Sequence, residues 1–243
     1  MLTSVGKYCL FIRSLFNNRE RFSLYIKLIM DECILIGVDS VFVVAIVSTF
    51  IGAVSAIQTA YNLTSPFVPM YTVGTIVRDF TILENAPTFT CLVLAGKVGS
   101  SIAGGLGTMR VTEQIDAIDV MGINSGSYLV LPKIIAAMLV FPMLVSISGF
   151  LSIFGGYLSV VLSGVMTEHD YVYGLRYLFV EYNVFFALVK AVVFAFLISS
   201  ISSFCGFYTK GGALEVGKSS TDAVTNSCIA VLVADFVIAK LLL

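Results

Sequence analysis

The 243-residue sequence has no tryptophan, one histidine and five prolines, and Asp, Glu, Lys and Arg together make up only 12% of it. A soluble domain carries about 25% charge, so half of the usual complement is missing and a water-exposed globule is excluded. With 14 basic against 15 acidic residues there is no field to draw in a phosphate backbone, which removes nucleic-acid binding. The five cysteines, Cys9, Cys33, Cys91, Cys205 and Cys228, are far apart, odd in number and without a C-x-x-C pair. They read as small buried apolar residues rather than a disulfide framework or a thiolate metal site. His169 stands between Glu168 and Asp170 with no partner at ligand spacing, and neither H-E-x-x-H nor G-x-S-x-G occurs. No metal, no cofactor and no catalytic centre are therefore expected.

What is present is apolar: 58% of residues, with a mean hydropathy of +0.99. Runs long enough to cross the ~30 Å hydrocarbon layer, which takes roughly 20 residues, fall at 34–57, 76–104, 129–163, 184–207 and 222–243. The expected fold is all-α, a polytopic membrane protein of about five spans. The third run exceeds one straight crossing, and Pro142, Gly149, Gly155 and Gly156 offer it places to kink or re-enter, so six spans stay open. Residues 1–32 precede the first run. There Val5, Tyr8, Cys9, Ile12, Leu15 and Phe16 recur at helical spacing opposite Lys7 and Arg13, as in an amphipathic helix lying in the membrane interface. Residues 33–243 would form the membrane domain. Placing the N-terminus in the cytoplasm puts ten of the 14 Lys and Arg residues inside, in line with the positive-inside rule.

Small residues recur every four positions in two runs, Ala95, Gly99, Ala103, Gly107 and Ala187, Ala191, Ala195, Ser199, Ser203. Such rows let helices approach closely, within one subunit or between two. Gly212 to Ser219 matches G-x-x-x-x-G-K-[ST] letter for letter. The match fails on context, because a phosphate loop joins a buried strand to a helix in a soluble α/β domain and here an apolar span precedes it. Ser219, Ser220 and Thr221 read instead as caps of the last span.

Between the second and third spans, residues 108–121 form a short amphipathic helix. Val111, Ile115 and Ile118 make an apolar stripe, while Thr112, Glu113, Asp116 and Asp119 make an acidic face. Such a helix suits docking to a soluble partner.

Three further groups carry the functional reading. Glu84, Lys190 and Asp235 are each isolated in an apolar span, where a lone charge costs about 2.5–3.5 kcal/mol. Counted from the outer span ends they lie about 8, 6 and 8 residues deep, the same level to within a few ångströms at ~1.5 Å per residue, so Lys190 should contact at least one carboxylate, Asp235 in preference to Glu84. The connection after the first span holds no charge between Asp39 and Arg78. Its Ser55, Tyr61, Leu63 and Phe67 suit an apolar wall facing acyl chains.

The stretch A-G-K-V-G-S-S-I-A-G-G-L-G-T-M-R-V-T-E-Q from Ala95 to Gln114 resembles the signature of the Mla-type permeases, membrane subunits of ABC transporters associated with MCE proteins. Ala95-Gly96, Gly99-Ser100, Gly107, Met109-Arg110 and Thr112-Glu113-Gln114 match. Lys97 replaces the family's arginine and Gly105 its glutamate. Leu83-Glu84-Asn85-Ala86-Pro87 resembles the family's R-E-L-G-P with its arginine missing, and the segments around Lys190 and Asp235 resemble the fourth and fifth spans. The resemblance implies a homodimer in the bacterial inner membrane with two cytoplasmic ATPase subunits and a periplasmic MCE protein, moving phospholipid. It also implies that the helix carrying Arg110, Glu113, Gln114 and Asp116 couples to the ATPase, the chain having no ATPase site of its own. An ion-coupled secondary transporter or channel is the alternative, since intramembrane charges serve an ion path equally well. An intramembrane lipid-modifying enzyme is a weaker one.

Overall fold

A computed structural model describes residues 2–15, 22–63 and 69–242. Among them there are helices and no strands: α1 (Leu2–Ser14), α2 (Phe22–Asn62), α3 (Tyr71–Val111), α4 (Gln114–Val120), α5 (Ser125–Ser163), α6 (Glu168–Arg176), α7 (Tyr182–Phe207) and α8 (Ala213–Leu242). Five of these, α2, α3, α5, α7 and α8, are long and apolar enough to cross a membrane. The 39-residue α5 runs unbroken through Pro132 and Pro142, so the re-entrant option for the third apolar run is not taken. Asn124 caps its start by accepting the Ser127 N–H, and Gly164, at φ +66, closes its end with a hydrogen bond to the Val161 carbonyl.

The helices begin earlier than the hydropathy suggests. α2 is continuous from Phe22, so a boundary at 32/33 falls inside it, and α8 starts at Ala213 rather than near 222. At 41 residues, α2 is about 60 Å long, twice the hydrocarbon thickness. Its first turns carry Lys27, Asp31 and Glu32, and those of α8 carry Glu215, Lys218 and Asp222, charges that interrupt the apolar run.

Packing depends on missing side chains. A Cβ on Gly52 of α2 would overlap the Ser152 carbonyl of α5, and one on Gly155 would overlap the Thr49 carbonyl, so the two backbones touch. Ala95, Ala103, Ala191, Ala195, Ser199 and Ser203 are all buried, and the α3 row packs on α7 through another of its faces, Gly99 against Ile198 and Ser202 and Ala103 against Gly206. Two serine hydroxyls of α7 are satisfied within the helix, Ser199 donating to the Ala195 carbonyl and Ser200 to that of Phe196, while Ser202 lies 3.4 Å from Ser227 of α8 and the Ser203 hydroxyl is buried without a partner among the described residues.

α1 and α4 lie at one end of the bundle and α6 at the other. Of the expected stripe, Leu15 just past α1 is buried, Tyr8 and Ile12 are half-buried and Cys9 is exposed, while Phe11, outside it, is buried; the side chain of Val5 and all of Phe16 lie outside the described residues. Phe11 packs on Phe204, Phe207 and Tyr208 of α7, and the Tyr8 hydroxyl sits 2.7 Å from that of Ser200. Burial pushes the Tyr8 phenol up from its ordinary value. At the other end, Arg78 of α3 is buried and donates to the carbonyls of Leu175, in the last turn of α6, and of Tyr177 and Leu178 just past it, fastening that helix to the bundle. Tyr171 of α6 is also enclosed, and burial pushes its phenol up to about 12.

Candidate functional site: a buried lysine, an elbow and two crevices

Lys190, on α7, is fully buried, and three oxygens converge on its ammonium. Glu84 Oε1 lies at 2.9 Å and the Leu83 carbonyl at 3.1 Å, both hydrogen-bonded, while Asp235 Oδ1 at 2.6 Å forms an ion pair without hydrogen-bond alignment. Phe186 lies one turn away with its ring centroid 4.8 Å from Nζ. The structure thus brings together all three charged residues that the level counting had set at one depth. Lys190 is 0% exposed, Asp235 18% and Glu84 33%.

The local fold explains why the Leu83 carbonyl is available. Pro87 has no N–H to give to its α-helical acceptor four residues back, which is that carbonyl. The chain winds in wider π-helical turns over Thr81–Phe89, and the lysine fills the vacancy. Glu84 and Pro87 therefore act together: one supplies a carboxylate, the other frees the neighbouring carbonyl. Thr88 donates to the second carboxylate oxygen of Glu84 at 3.2 Å. The sequence shows the Glu84/Pro87 spacing but does not mark Leu83, Pro87 or Thr88 as partners of the lysine.

The expected helix at 108–121 is instead two pieces. α3 continues to Val111 and carries Arg110; α4 begins at Gln114 and is only seven residues long. Between them Glu113 adopts φ +60, a left-handed conformation that turns the chain. The turn is braced by Arg110 donating to Asp116 at 2.6 Å across it. Ile115 is buried under α4, whereas Gln114 and Asp116 are exposed. Asp119, though exposed, accepts the Ser125 N–H at 3.3 Å, which ties it to the start of α5. Past the acidic residues α4 ends in Val120 and Met121, 88% and 67% exposed.

The residues expected to line a lipid cavity are not gathered in one described cavity. Ser55 Oγ accepts from Asn85 at 3.2 Å, Tyr61 is exposed, Leu63 packs on the cluster of Ala56, Val73 and Tyr171, and Phe67 lies outside the described residues. An apolar crevice of about 190 Å³ lies elsewhere, between α3, α5 and α7, with Ala86, Gly149, Phe150 and Ala187 in its walls. A smaller crevice of about 60 Å³ between α2, α3 and α5 is lined by charged side chains.

The run resembling a phosphate loop is helical from Ala213, and the hydroxyls of Ser219 and Ser220 bond to the carbonyls of Cys205 and Val216. They sit inside α8 and do not cap it. His169 is exposed on α6, stacked on Tyr173, and no His, Cys, Asp and Glu group among the described residues could hold a metal.

Comparison with known proteins extends over most of the chain. The family described as Permease MlaE matches residues 29–241. A probable ABC transporter permease protein of Rickettsia bellii is 39% identical over 238 residues, covering 98% of this chain and 92% of its own length. One from Synechocystis is 33% identical over 220 residues, covering 88% and 81%. The chloroplastic protein TRIGALACTOSYLDIACYLGLYCEROL 1 of Arabidopsis thaliana is 32% identical over 213 residues, covering 84% of this chain and 58% of its own.

Proposed function

The chain belongs to the MlaE family of ABC transporter permeases, and from that premise we propose that it moves phospholipid across or out of the bacterial inner membrane, driven by a separate cytoplasmic ATPase. The single observation carrying this reading is the family match across nearly the whole chain. The name of the Arabidopsis relative refers to a glycerolipid, which supports a lipid cargo. A homodimer, with a periplasmic MCE-domain protein receiving or delivering the lipid, completes the proposal. An ion-coupled carrier has no observation in its favour, because the intramembrane lysine is already surrounded by its own carboxylates and a carbonyl.

The proposed orientation puts α1, α4 and the start of α8 in the cytoplasm and α6 outside. The elbow around Glu113, with Gln114, Asp116 and the Arg110 brace, would meet the ATPase, and movement of α4 would pass to α3 through the braced turn. Because α3 carries Glu84 further along its length, that movement also reaches the Lys190 junction. Such a push is a two-state change biased by nucleotide in another subunit. The test is copurification of a bound ATPase, followed by ATP-dependent movement of fluorescent phospholipid in proteoliposomes. Ion-driven flux by the permease alone would overturn the reading.

A further inference from the structure

We propose that the small crevice between α2, α3 and α5 holds the phosphoethanolamine head of a phospholipid in the cytoplasmic leaflet, with the acyl chains left in the bilayer. The inference rests on the lipid-transport reading and on the orientation given above. Four charges line this crevice: Lys97 and Lys133 against Glu32 and Asp39, with Ser40 beside them. Their sum is zero, which complements a zwitterion and not a net anion.

Position fixes the kind of occupant. Counted from the outer ends of α2, α3 and α5, Asp39, Lys97 and Lys133 lie about 23, 26 and 30 residues down, or ~35–45 Å at ~1.5 Å per residue. With the outer helix ends at the outer headgroup surface, that depth reaches the inner headgroup layer of a membrane ~40–45 Å thick. The charges therefore stand at the level of lipid heads rather than among tails.

Bonding inside the crevice leaves capacity for a ligand. Lys97 donates to the backbone carbonyl of Asp39, and among the described residues neither it nor the Asp39 carboxylate is in an ion pair. Lys133 pairs with Glu32 Oε1, but Glu32 Oε2 is enclosed without a partner, and so is the hydroxyl of Ser40, which is 1% exposed. Two ammonium groups and a hydroxyl can grip a phosphate, and the free carboxylate oxygens can accept from a primary ammonium. A volume of about 60 Å³ is room for roughly four or five waters. It admits a compact polar head and not a bulky trimethylammonium, which also has no N–H to donate.

The test uses a photocrosslinking amino acid at Leu35, exposed at the crevice mouth, with a control at Phe150, exposed on the other crevice. The purified protein is placed in vesicles of matched chains containing phosphatidylethanolamine, phosphatidylcholine and phosphatidylglycerol, illuminated, and its lipid adducts are weighed. At Leu35 the ethanolamine lipid should be enriched roughly fivefold over the other two, the ratio that ~1 kcal/mol produces. At Phe150 the adducts should follow bulk composition. Asp39→Asn and Lys97→Met should each return Leu35 adducts toward bulk, and Ser40→Ala, which removes only a hydroxyl, should lower the enrichment without affecting folding. Adducts at bulk ratio, a preference for phosphatidylglycerol, or equal capture of phosphatidylcholine would each overturn the proposal. Excess inorganic phosphate should displace nothing; displacement would mark a free-anion site instead. Capture requires no ATPase, so failure here is separable from failure of the transport reading.

Discussion

Replacing Lys190 by Met removes the one positive charge from a junction holding two carboxylates and a carbonyl freed by Pro87. Methionine keeps nearly the shape of the side chain, so the loss is electrostatic. Breaking a buried pair by deleting one partner costs about 3–5 kcal/mol, because the remaining charge is left without compensation. For a chain of this size ~1 kcal/mol corresponds to about 2–4 °C, so the variant should melt about 6–20 °C below the parent protein. The geometry also ranks the single carboxylate variants. Asp235→Asn leaves Lys190 with its two aligned acceptors, whereas Glu84→Gln removes an aligned carboxylate, so Glu84→Gln should be the more destabilising. Neutralising all three, Lys190→Met with Glu84→Gln and Asp235→Asn, should recover most of the loss. The assay is thermal unfolding in detergent, followed by tryptophan fluorescence from one Trp placed on α7; the natural sequence has none, so the background is clean. If Lys190→Met melted within a degree or two of the parent, the junction would bear no structural weight and the reasoning would fail. If the triple variant were stable yet inactive in lipid transport, the charges would have a second role in the cycle.

Glycine positions should divide sharply: Gly155→Ala drives a methyl into the Thr49 carbonyl and should cost about 3 kcal/mol or prevent folding, while Gly96→Ala, open on all sides in α3, should gain about 0.5–1 kcal/mol. Glu113→Gly relieves a left-handed residue worth about 1 kcal/mol, yet should weaken ATPase-coupled transport if the carboxylate is a contact; unchanged coupling would clear Glu113 of that role. Asp116→Asn removes an exposed ion pair and should change stability by less than about 1 kcal/mol, so a large loss of ATPase binding would report the interface and not the fold. Since burial holds Tyr171 up to about 12, spectrophotometric titration of Tyr171→Phe should lose amplitude only at the alkaline end of the curve, and a loss nearer neutrality would refute its enclosure.

Features that depend on period and length were legible from sequence. The five spans follow from apolar length, the α3/α7 contact from residues at every fourth position, and the meeting of Glu84, Lys190 and Asp235 from counting rise along three helices. Features that depend on one backbone angle or one missing proton were not. Periodicity runs smoothly through Thr112 and Glu113 because both the end of α3 and α4 are helical, and nothing in it marks the single residue at φ +60 that separates them. Pro87 belongs to a recognisable sequence pattern, but its effect on the Leu83 carbonyl shows only with Lys190 beside it. The polar starts of α2 and α8 escaped because hydropathy registers hydrocarbon, whereas a helix can continue beyond it. Absence of charge around Ser55, Tyr61, Leu63 and Phe67 identifies apolar surface without saying what covers it.

The order in which the three partners of the junction are synthesised has a consequence for biogenesis. Glu84 lies in α3, Lys190 in α7 and Asp235 in α8, so the acid is already in the membrane when the lysine-bearing helix leaves the translocon. That helix need not bear its charge alone in lipid, since a hydrogen-bonded counter-ion and a vacant carbonyl are waiting. Asp235 then enters opposite an ammonium already in place, and the last helix, which buries only Ala223, Ser227 and Val231, is guided to its seat by charge where it has little packing to guide it.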